Sequence, residues 1–118
     1  MSEDPSKTLF AKFANGTIKV DPVYEDKSVF AFNDINPQAP THVLIIPKTL
    51  AIGKLEDTSD SDAATLGTLM VAAGKIATQL KLTSGYRLVV NSGKDGCQSI
   101  NYLHVHLLAG RKLKWPPG

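Results

Sequence analysis

The sequence predicts an α+β domain: an antiparallel sheet of about five strands, with one main helix on one face and a short N-terminal helix. Three patterns carry this prediction. Polar and apolar residues alternate along 102–108, which is the period of a β-strand. Short runs of β-forming residues are separated by turn residues, and one long segment, 59–80, has the apolar period of a helix. The length of 118 residues fits a single domain over 1–118, with residues 1–6 as a flexible N-terminus.

The first half of the chain is predicted to contain the short helix and three strands. The helix covers residues 6–13 and ends before a glycine. Residues 23–25 and 28–33 flank a polar turn and predict a hairpin. The third strand, 41–46, is rich in β-forming residues and is followed by a proline.

The second half is predicted to contain the main helix and two strands. Asp60 and Asp62 lie in the first turn of the helix at 59–80, where negative charge suits the helix dipole. Residues 87–91 predict the fourth strand, and the alternating segment 102–108 predicts the fifth.

The composition argues against several classes of protein. A net charge of +2 is too small to indicate nucleic acid or an anionic membrane as a partner. The basic cluster at 111–114 is short and is expected to be a solvated tail or the rim of a dimer interface. No apolar run has membrane-spanning length, and the polar N-terminus has no signal-peptide core. The single cysteine fits a reducing compartment, so we expect a cytoplasmic protein that can also be nuclear.

Two histidines lie close together on the fifth predicted strand. Strand alternation puts Tyr102, His104 and His106 on one face and apolar residues on the other. Imidazole can act near neutral pH as a nucleophile, a proton shuttle or a metal ligand.

The loop just before this strand, residues 91–99, contains Gly93 and Gly96 among polar residues. Glycines allow successive backbone N–H groups to point into one concavity, and such a nest binds phosphate. Glycine-rich loops are common, so the loop alone is weak evidence. Its position directly before the two histidines indicates chemistry at phosphorus.

The last strand resembles the His-φ-His-φ-His-φ-φ motif (φ is apolar) of the histidine triad (HIT) superfamily of nucleotide hydrolases and transferases. His104 matches the central histidine and His106 the third, whereas Tyr102 stands in place of the first. The resemblance runs from about residue 8 to residue 118.

Two other segments support the resemblance. Residues 33–42 look like the ribose-binding segment of the family, and the Trp-Pro-Pro-Gly ending, 115–118, looks like that of the Hint branch, the purine nucleoside phosphoramidases. One departure is Cys97, where Hint proteins usually have glycine. The resemblance implies a HIT-like fold paired in a homodimer, and a reaction that needs no metal or organic cofactor.

The resemblance also implies an activity, namely hydrolysis of the P–N bond of purine nucleoside 5'-phosphoramidates with release of AMP or GMP. His104 would attack the α-phosphorus and form a covalent nucleotidyl-histidine, which splits one hard displacement into two easier ones. His106 would hydrogen bond to the phosphate or the leaving group. Ser99 would donate its hydroxyl to the leaving atom or to a phosphate oxygen.

Further residues are expected to bind the nucleotide. Asp34 would accept hydrogen bonds from the ribose hydroxyls, although an Asp at this point could instead only cap the turn. Phe10, Phe32 and Ile35 would line an apolar slot for the base, with ordinary core packing as the alternative. Asn91 would orient the phosphate or cap the end of its strand.

Four residues are expected to have supporting or modifying roles. His42 and Trp115 would support the site without reacting. Tyr102 would hold the strand and the His104 ring, through its hydroxyl or through packing. Cys97 would add a side chain to the phosphate loop and narrow the phosphate site.

Three alternatives stay open at this point. Dinucleoside polyphosphate hydrolysis is the nearest enzymatic one, and the Trp-Pro-Pro-Gly ending argues against it. Replacement of the first triad histidine by Tyr102 would suit a nucleotide-binding or scaffold protein with little turnover. A metal site at the two histidines is disfavoured, because only His42 and Cys97 remain as further zinc ligands.

Overall fold

A computed structural model describes residues 3–118 of the chain. Its helices and strands are α1 (Leu9–Ala14), β1 (Tyr24–Glu25), β2 (Val29–Asn33), β3 (Thr41–Pro47), α2 (Ala63–Gln79), β4 (Arg87–Val89) and β5 (Val105–Ala109). Short 3-10 turns cover Pro5–Lys7, Leu55–Asp57 and Asp60–Asp62. The predicted α+β class, with five strands, one main helix and a short N-terminal helix, is confirmed. No helix within 3–118 combines the length and apolarity that crossing a membrane requires.

Several element boundaries differ from the predicted ones. The flexible N-terminus expected over residues 1–6 falls partly on Met1 and Ser2, which lie outside the described residues. Asp4 caps the 3-10 turn that follows it, because its carboxylate accepts the Ser6 N–H at 2.9 Å. At the main helix, Asp60 and Asp62 belong to a separate 3-10 turn, and α2 begins only at residue 63.

The five strands form one antiparallel sheet in the order β1-β2-β3-β5-β4. The last strand is therefore inserted beside the central one. Leu44 pairs with His106, and His42 pairs with Leu108. Since alternate residues share a face, His42 and His106 are diagonal neighbours on the same side of the sheet.

The two faces of the sheet carry different cores. The core that includes α2 is aliphatic, and its buried side chains are Val29, Ala31, Val43, Ile45, Leu69, Ala72, Ala73, Ile76, Leu103, Val105, Leu107 and Ala109. The core that includes α1 is largely aromatic, and its buried side chains are Phe10, Ala11, Phe30, Phe32, Leu44, Ile46 and Tyr102. Leu44 belongs to the second core, so His42 and His106 lie on the α1 face.

Candidate active site

His104 lies one residue before β5 and is held by the main chain. Its side chain is buried, and its Nδ1 is 2.7 Å from the carbonyl oxygen of Tyr102. A carbonyl oxygen can only accept, so Nδ1 carries the proton and Nε2 carries the lone pair. Phe10 packs edge-on against the imidazole, with 5.1 Å between ring centroids. Burial lowers the pKa of His104, which keeps the ring neutral and its Nε2 nucleophilic at pH 7.

His42, on β3, is fixed in the opposite tautomer. The backbone N–H of Gln38 donates to His42 Nδ1 at 3.0 Å, so this nitrogen must carry the lone pair. The proton of the neutral ring then sits on Nε2, which is 2.8 Å from His106 Nδ1. Because burial lowers the pKa of His42, the neutral form prevails at pH 7.

His106 therefore accepts at Nδ1 and carries its own proton on Nε2. That Nε2–H is buried and has no hydrogen-bond partner within the described part of the chain. Burial, and then the proximity of His104 and His42, lower the pKa of His106 to about 4. An unpaired buried donor costs roughly 1–3 kcal/mol, so this N–H is available to a ligand or to an ordered water.

Asp34, at the end of β2, has a separate task for each carboxylate oxygen. Its Oδ1 accepts the N–H of Asn36 at 2.8 Å, which is the turn cap that the sequence left open as an alternative. Its Oδ2 lies 3.5 Å from His42 Nε2. His106 Nδ1 is closer to that nitrogen at 2.8 Å, so the His42 proton goes to His106 and Asp34 acts through its charge.

Asp34, His42 and His106 also form a group in which each residue offers a metal-ligand atom, all within 4.8 Å of one another. Zinc holds imidazole nitrogens at about 2.0–2.1 Å in a tetrahedral shell, which sets two of them about 3.3 Å apart. The two histidine nitrogens here are 2.8 Å apart, which is a hydrogen-bond distance. The three side chains are therefore arranged as a hydrogen-bonded group. Binding of zinc would require the imidazole rings of His42 and His106 to move apart.

Two histidines thus lie at the start of β5, and a third lies on the neighbouring strand β3. This arrangement agrees with the protein family that the sequence matches. The HIT domain family matches residues 15–113. The chain belongs to the HIT domain family. The resemblance carried by the last strand is thus confirmed for the family as a whole.

Several similar proteins and solved structures carry the name of the same family. A "14 kDa zinc-binding protein" from Zea mays is 48% identical over 116 residues, covering 98% of this chain and 91% of the relative. An uncharacterized HIT-like protein from Synechococcus elongatus is 48% identical over 118 residues, covering 100% of both chains. A HIT family hydrolase from Legionella pneumophila superposes with a TM-score of 0.88 at 47% identity, covering 93% of this chain and 98% of its own. A histidine triad nucleotide-binding protein from Candida albicans superposes with a TM-score of 0.77 at 29% identity, covering 93% of this chain and 83% of its own.

Tyr102, which stands in place of the first triad histidine, has a packing role, one of the two that the sequence left open. Its side chain is 1% exposed and packs in the aromatic core, and its hydroxyl donates to the carbonyl oxygen of Pro47. The hydroxyl therefore does not touch His104, whereas the Tyr102 carbonyl does. Burial raises the pKa of Tyr102 to about 12, so the phenol stays protonated. The fifth strand was predicted over 102–108, but β5 begins at Val105. Before it, the Leu103 N–H donates to the carbonyl oxygen of Ile52, outside the sheet.

Several backbone N–H groups of the loop at residues 91–99 donate hydrogen bonds within the loop itself. The Cys97 N–H donates to the carbonyl oxygen of Lys94, and the Gln98 N–H donates to that of Gly93. The Gly93 N–H in turn donates to the side-chain oxygen of Gln98. Fewer amides can therefore face a phosphate than the nest prediction assumed. Cys97 has a φ of 62°, a left-handed conformation that favours glycine.

Gln98 is a residue that the sequence interpretation missed. Its side chain is buried, and its amide donates to the Gly53 carbonyl at 2.7 Å and to Ile100 at 3.1 Å. It thus ties the loop to the rest of the domain. Ser99 is exposed at the end of the loop and Asn91 is half-buried at its start.

The predicted base-binding residues are in different environments. Phe10 and Phe32 are buried and pack edge-on at 5.4 Å between ring centroids, whereas Ile35 is fully exposed. Phe13, which is half-buried, packs edge-on against Phe32 at 5.0 Å. Phe13 was not among the predicted base contacts, although its spacing from Phe10 on α1 puts both on one side of the helix.

The predicted site residues that the structure brings next to one another include His42, His104, His106, Asp34 and Phe10. The ring centroids of His104 and His106 are 4.9 Å apart, and those of His42 and His106 are 5.1 Å apart. Trp115 is 80% exposed and lies against Arg87 of β4, whose guanidinium is 5.9 Å from the ring centroid.

Proposed function

We propose that this HIT protein hydrolyses purine nucleoside 5'-phosphoramidates at the P–N bond and releases AMP or GMP. The observation that carries the proposal is the pairing of tautomers at adjacent histidines. His104 offers a lone pair at Nε2, and His106 offers at its own Nε2 an N–H that has no partner in the described part of the chain. A nucleophile beside a hydrogen-bond donor is what displacement at a charged phosphoryl group needs.

In the proposed first step, His104 Nε2 bonds to the α-phosphorus and the P–N bond breaks. The leaving nitrogen takes up a proton from solvent water, which the Ser99 hydroxyl is proposed to relay, and departs as ammonia or an amine. The His106 N–H stabilises the phosphoryl oxygen on which negative charge develops. The nucleotidyl-imidazole carries positive charge, which the Tyr102 carbonyl and the carboxylate of Asp34 stabilise. Water then attacks the phosphorus, the bond between phosphorus and His104 Nε2 breaks and returns its electron pair to that nitrogen, and the proton lost by the water passes to solvent.

Nucleotide binding is proposed along the α1 face. Asp34 has one carboxylate oxygen outside its turn cap, and this oxygen is proposed to accept from a ribose hydroxyl. Phe10, Phe13 and Phe32 pack together and are proposed to contact the base, and the fully exposed Ile35 is proposed to pack on it when the nucleotide binds. Asn91, Cys97 and Ser99 are proposed to line the phosphate side.

A homodimer is proposed from the edge of the sheet. Among residues 3–118, strand β4 has a hydrogen-bonded neighbour on one side only, and the flanking Tyr86 and Val90 are 43% and 36% exposed. Pairing of β4 with its copy would continue the sheet and cover these side chains. The cytoplasmic location expected from the single cysteine stays a prediction.

Two candidate functions compete with this one. The name of the Zea mays relative records zinc binding, but the 2.8 Å between His42 and His106 speaks against zinc at the corresponding residues here. Dinucleoside polyphosphate hydrolysis would use the same nucleophile with a different leaving group.

One assay separates these possibilities. The protein, freed of metal with a chelator, is incubated with adenosine 5'-phosphoramidate or with diadenosine tetraphosphate. We expect faster release of AMP from the phosphoramidate, and an intact-mass adduct of one AMP when the reaction is quenched early. Preference for the tetraphosphate, or activity only after zinc is restored, would contradict the proposal.

A further inference from the structure

The segment that follows β5 lies against the loop of residues 34–40, here called the Asp34 loop. A Cβ placed on Gly110 would come within 2.7 Å of Pro40, so the backbone at Gly110 approaches that ring as only glycine allows. Gly110 also has a φ of 93°. Next to it, the Arg111 guanidinium donates to the Gln38 carbonyl oxygen at 3.0 Å.

Gln38 connects this contact to the histidines. Its carbonyl oxygen accepts from Arg111, while its own N–H donates to His42 Nδ1 at 3.0 Å. His42 Nε2 in turn lies 2.8 Å from His106 Nδ1. A line of hydrogen bonds thus runs from an exposed arginine to the buried N–H of His106.

The middle of the Asp34 loop has few other restraints. The Asp34 carboxylate holds the start of the loop through the Asn36 N–H, and Pro40 packs on Gly110 at its end. The Gln38 side chain reaches only to Asn36, inside the same loop. Within the described residues, Arg111 is the hydrogen-bonding group that joins the Gln38 main chain to another part of the domain, apart from His42 itself.

We infer that Arg111 is a positioning residue that holds the Gln38 main chain so that His42 keeps its proton on Nε2. The inference rests on the proposed function, because the His42 tautomer determines whether His106 Nε2 carries the proton that is proposed to bind the phosphoryl oxygen. Without this hold, the exposed loop can move its N–H away from His42 Nδ1. His42 can then take its other tautomer, which offers His106 a lone pair in place of a proton.

The direct test is the tautomer of His42, read from long-range ¹H–¹⁵N correlation spectra of labelled protein. The chain has three histidines, so their ring nitrogens can be assigned individually. In the wild type we expect His42 to be protonated at Nε2. In Arg111→Ala we expect the Nδ1–H form to exceed about 10% of molecules, the upper end for an ordinary minor state.

Three variants control for other effects. Lys112→Ala removes the same charge from an exposed neighbour and should leave His42 as in the wild type. Arg111→Lys keeps a donor for the Gln38 carbonyl and should restore most of the wild-type tautomer. The midpoint of thermal unfolding is measured for each, and Arg111→Met, which keeps the aliphatic stem, replaces Arg111→Ala if the latter is destabilised.

Turnover supplies an independent readout. Loss of one hydrogen bond to a loop should lower kcat on adenosine 5'-phosphoramidate by about three- to tenfold in Arg111→Ala, with KM within about twofold of the wild type. A wild-type tautomer in Arg111→Ala, or an equal change in Lys112→Ala, would overturn the inference. A wild type without phosphoramidase activity would instead remove the proposed function, and the spectra would still decide the role of Arg111.

Discussion

The two faces of the sheet differ in how completely their side chains are satisfied. Toward α2, the strand residues Val29, Ala31, Val43, Ile45 and Leu107 are all 0% exposed and all aliphatic. Toward α1, phenylalanines pack around imidazoles, and one buried N–H of His106 has no partner in the described residues. The helices differ as well, since α2 has 17 residues and α1 has 6.

This difference separates stability from chemistry. A face of well-packed aliphatic side chains contributes most to folding and offers nothing to a substrate. The α1 face gives up some stability through its unpaired donor and its neutral, buried histidines. It follows that substitutions on the two faces should affect different measurements.

The largest expected effect is on turnover, from loss of the nucleophile. His104→Ala should lower kcat/KM on adenosine 5'-phosphoramidate by at least about a thousandfold, because the covalent route is removed. Nucleotide binding, measured by calorimetry with AMP, should persist. A rate near that of the wild type would exclude His104 as the nucleophile.

The matching change on the other face should act on stability alone. Leu107→Ala removes a fully buried side chain one residue from His106 and should lower the free energy of unfolding by about 2–5 kcal/mol. Urea denaturation measures this loss. Turnover per folded molecule should stay within about threefold of the wild type, and a much larger loss would show that the two faces are coupled.

The α1 face should also make stability depend on pH. The pKa of His106 is about 4 in the folded protein and near 6.5 when unfolded, so at intermediate pH the unfolded chain binds more protons. The low pKa of His106 contributes about 3 kcal/mol at most to the free energy of unfolding. This contribution is present above pH 6.5 and is lost as the pH falls toward 4. Urea denaturation between pH 7.5 and 4 should show it, and His106→Gln should have a shallower slope. Equal slopes would place the titration elsewhere.

A smaller effect is expected at the ribose. Asp34→Ala should weaken binding of AMP by about 1–3 kcal/mol, because a hydroxyl of the sugar loses its acceptor. The 2',3'-dideoxy analogue of AMP should lose less, which isothermal titration can measure. Similar losses for both ligands would leave Asp34 with its turn cap and its charge beside His42 as its only roles.

The smallest expected effect is a gain in stability at the loop beside the site. Cys97 has a φ of 62°, which costs an L-residue about 1 kcal/mol relative to glycine. Cys97→Gly should therefore raise the free energy of unfolding by up to about 1 kcal/mol, less the entropy that glycine adds to the unfolded chain. A loss of stability would mean that the exposed thiol makes a compensating contact.

Local patterns predicted the fold and the two neighbouring histidines. The period of α2 and the alternation around His104 and His106 depend only on residues close in sequence, so they can be predicted from a single chain. The proximity of His42 to His106 depends on the pairing of β3 with β5 across 64 positions, which no local pattern specifies. The resemblance to HIT proteins supplied His42 in place of such a pattern.

The roles of main-chain groups in the candidate site could not be predicted from the types of side chain in the sequence. The Tyr102 carbonyl and the Gln38 N–H set the tautomers of His104 and His42, and every residue carries both kinds of group. Tyr102 was expected to hold His104 through its hydroxyl or through packing, and its hydroxyl is directed to the Pro47 carbonyl. The side chain that replaces a triad histidine thus serves the packing of the α1 face.

The position of β5 between β3 and β4 also constrains the order of assembly during synthesis. Until this last strand has left the ribosome, β3 has an open edge and β4 lacks its only neighbour in the sheet. Until residues 105–109 have been synthesised, the nascent chain therefore carries a strongly apolar strand with one unpaired edge, which favours protection by chaperones. A chain that stops short of residue 105 would lack His106 and would leave the edge of β3 free to pair with other chains.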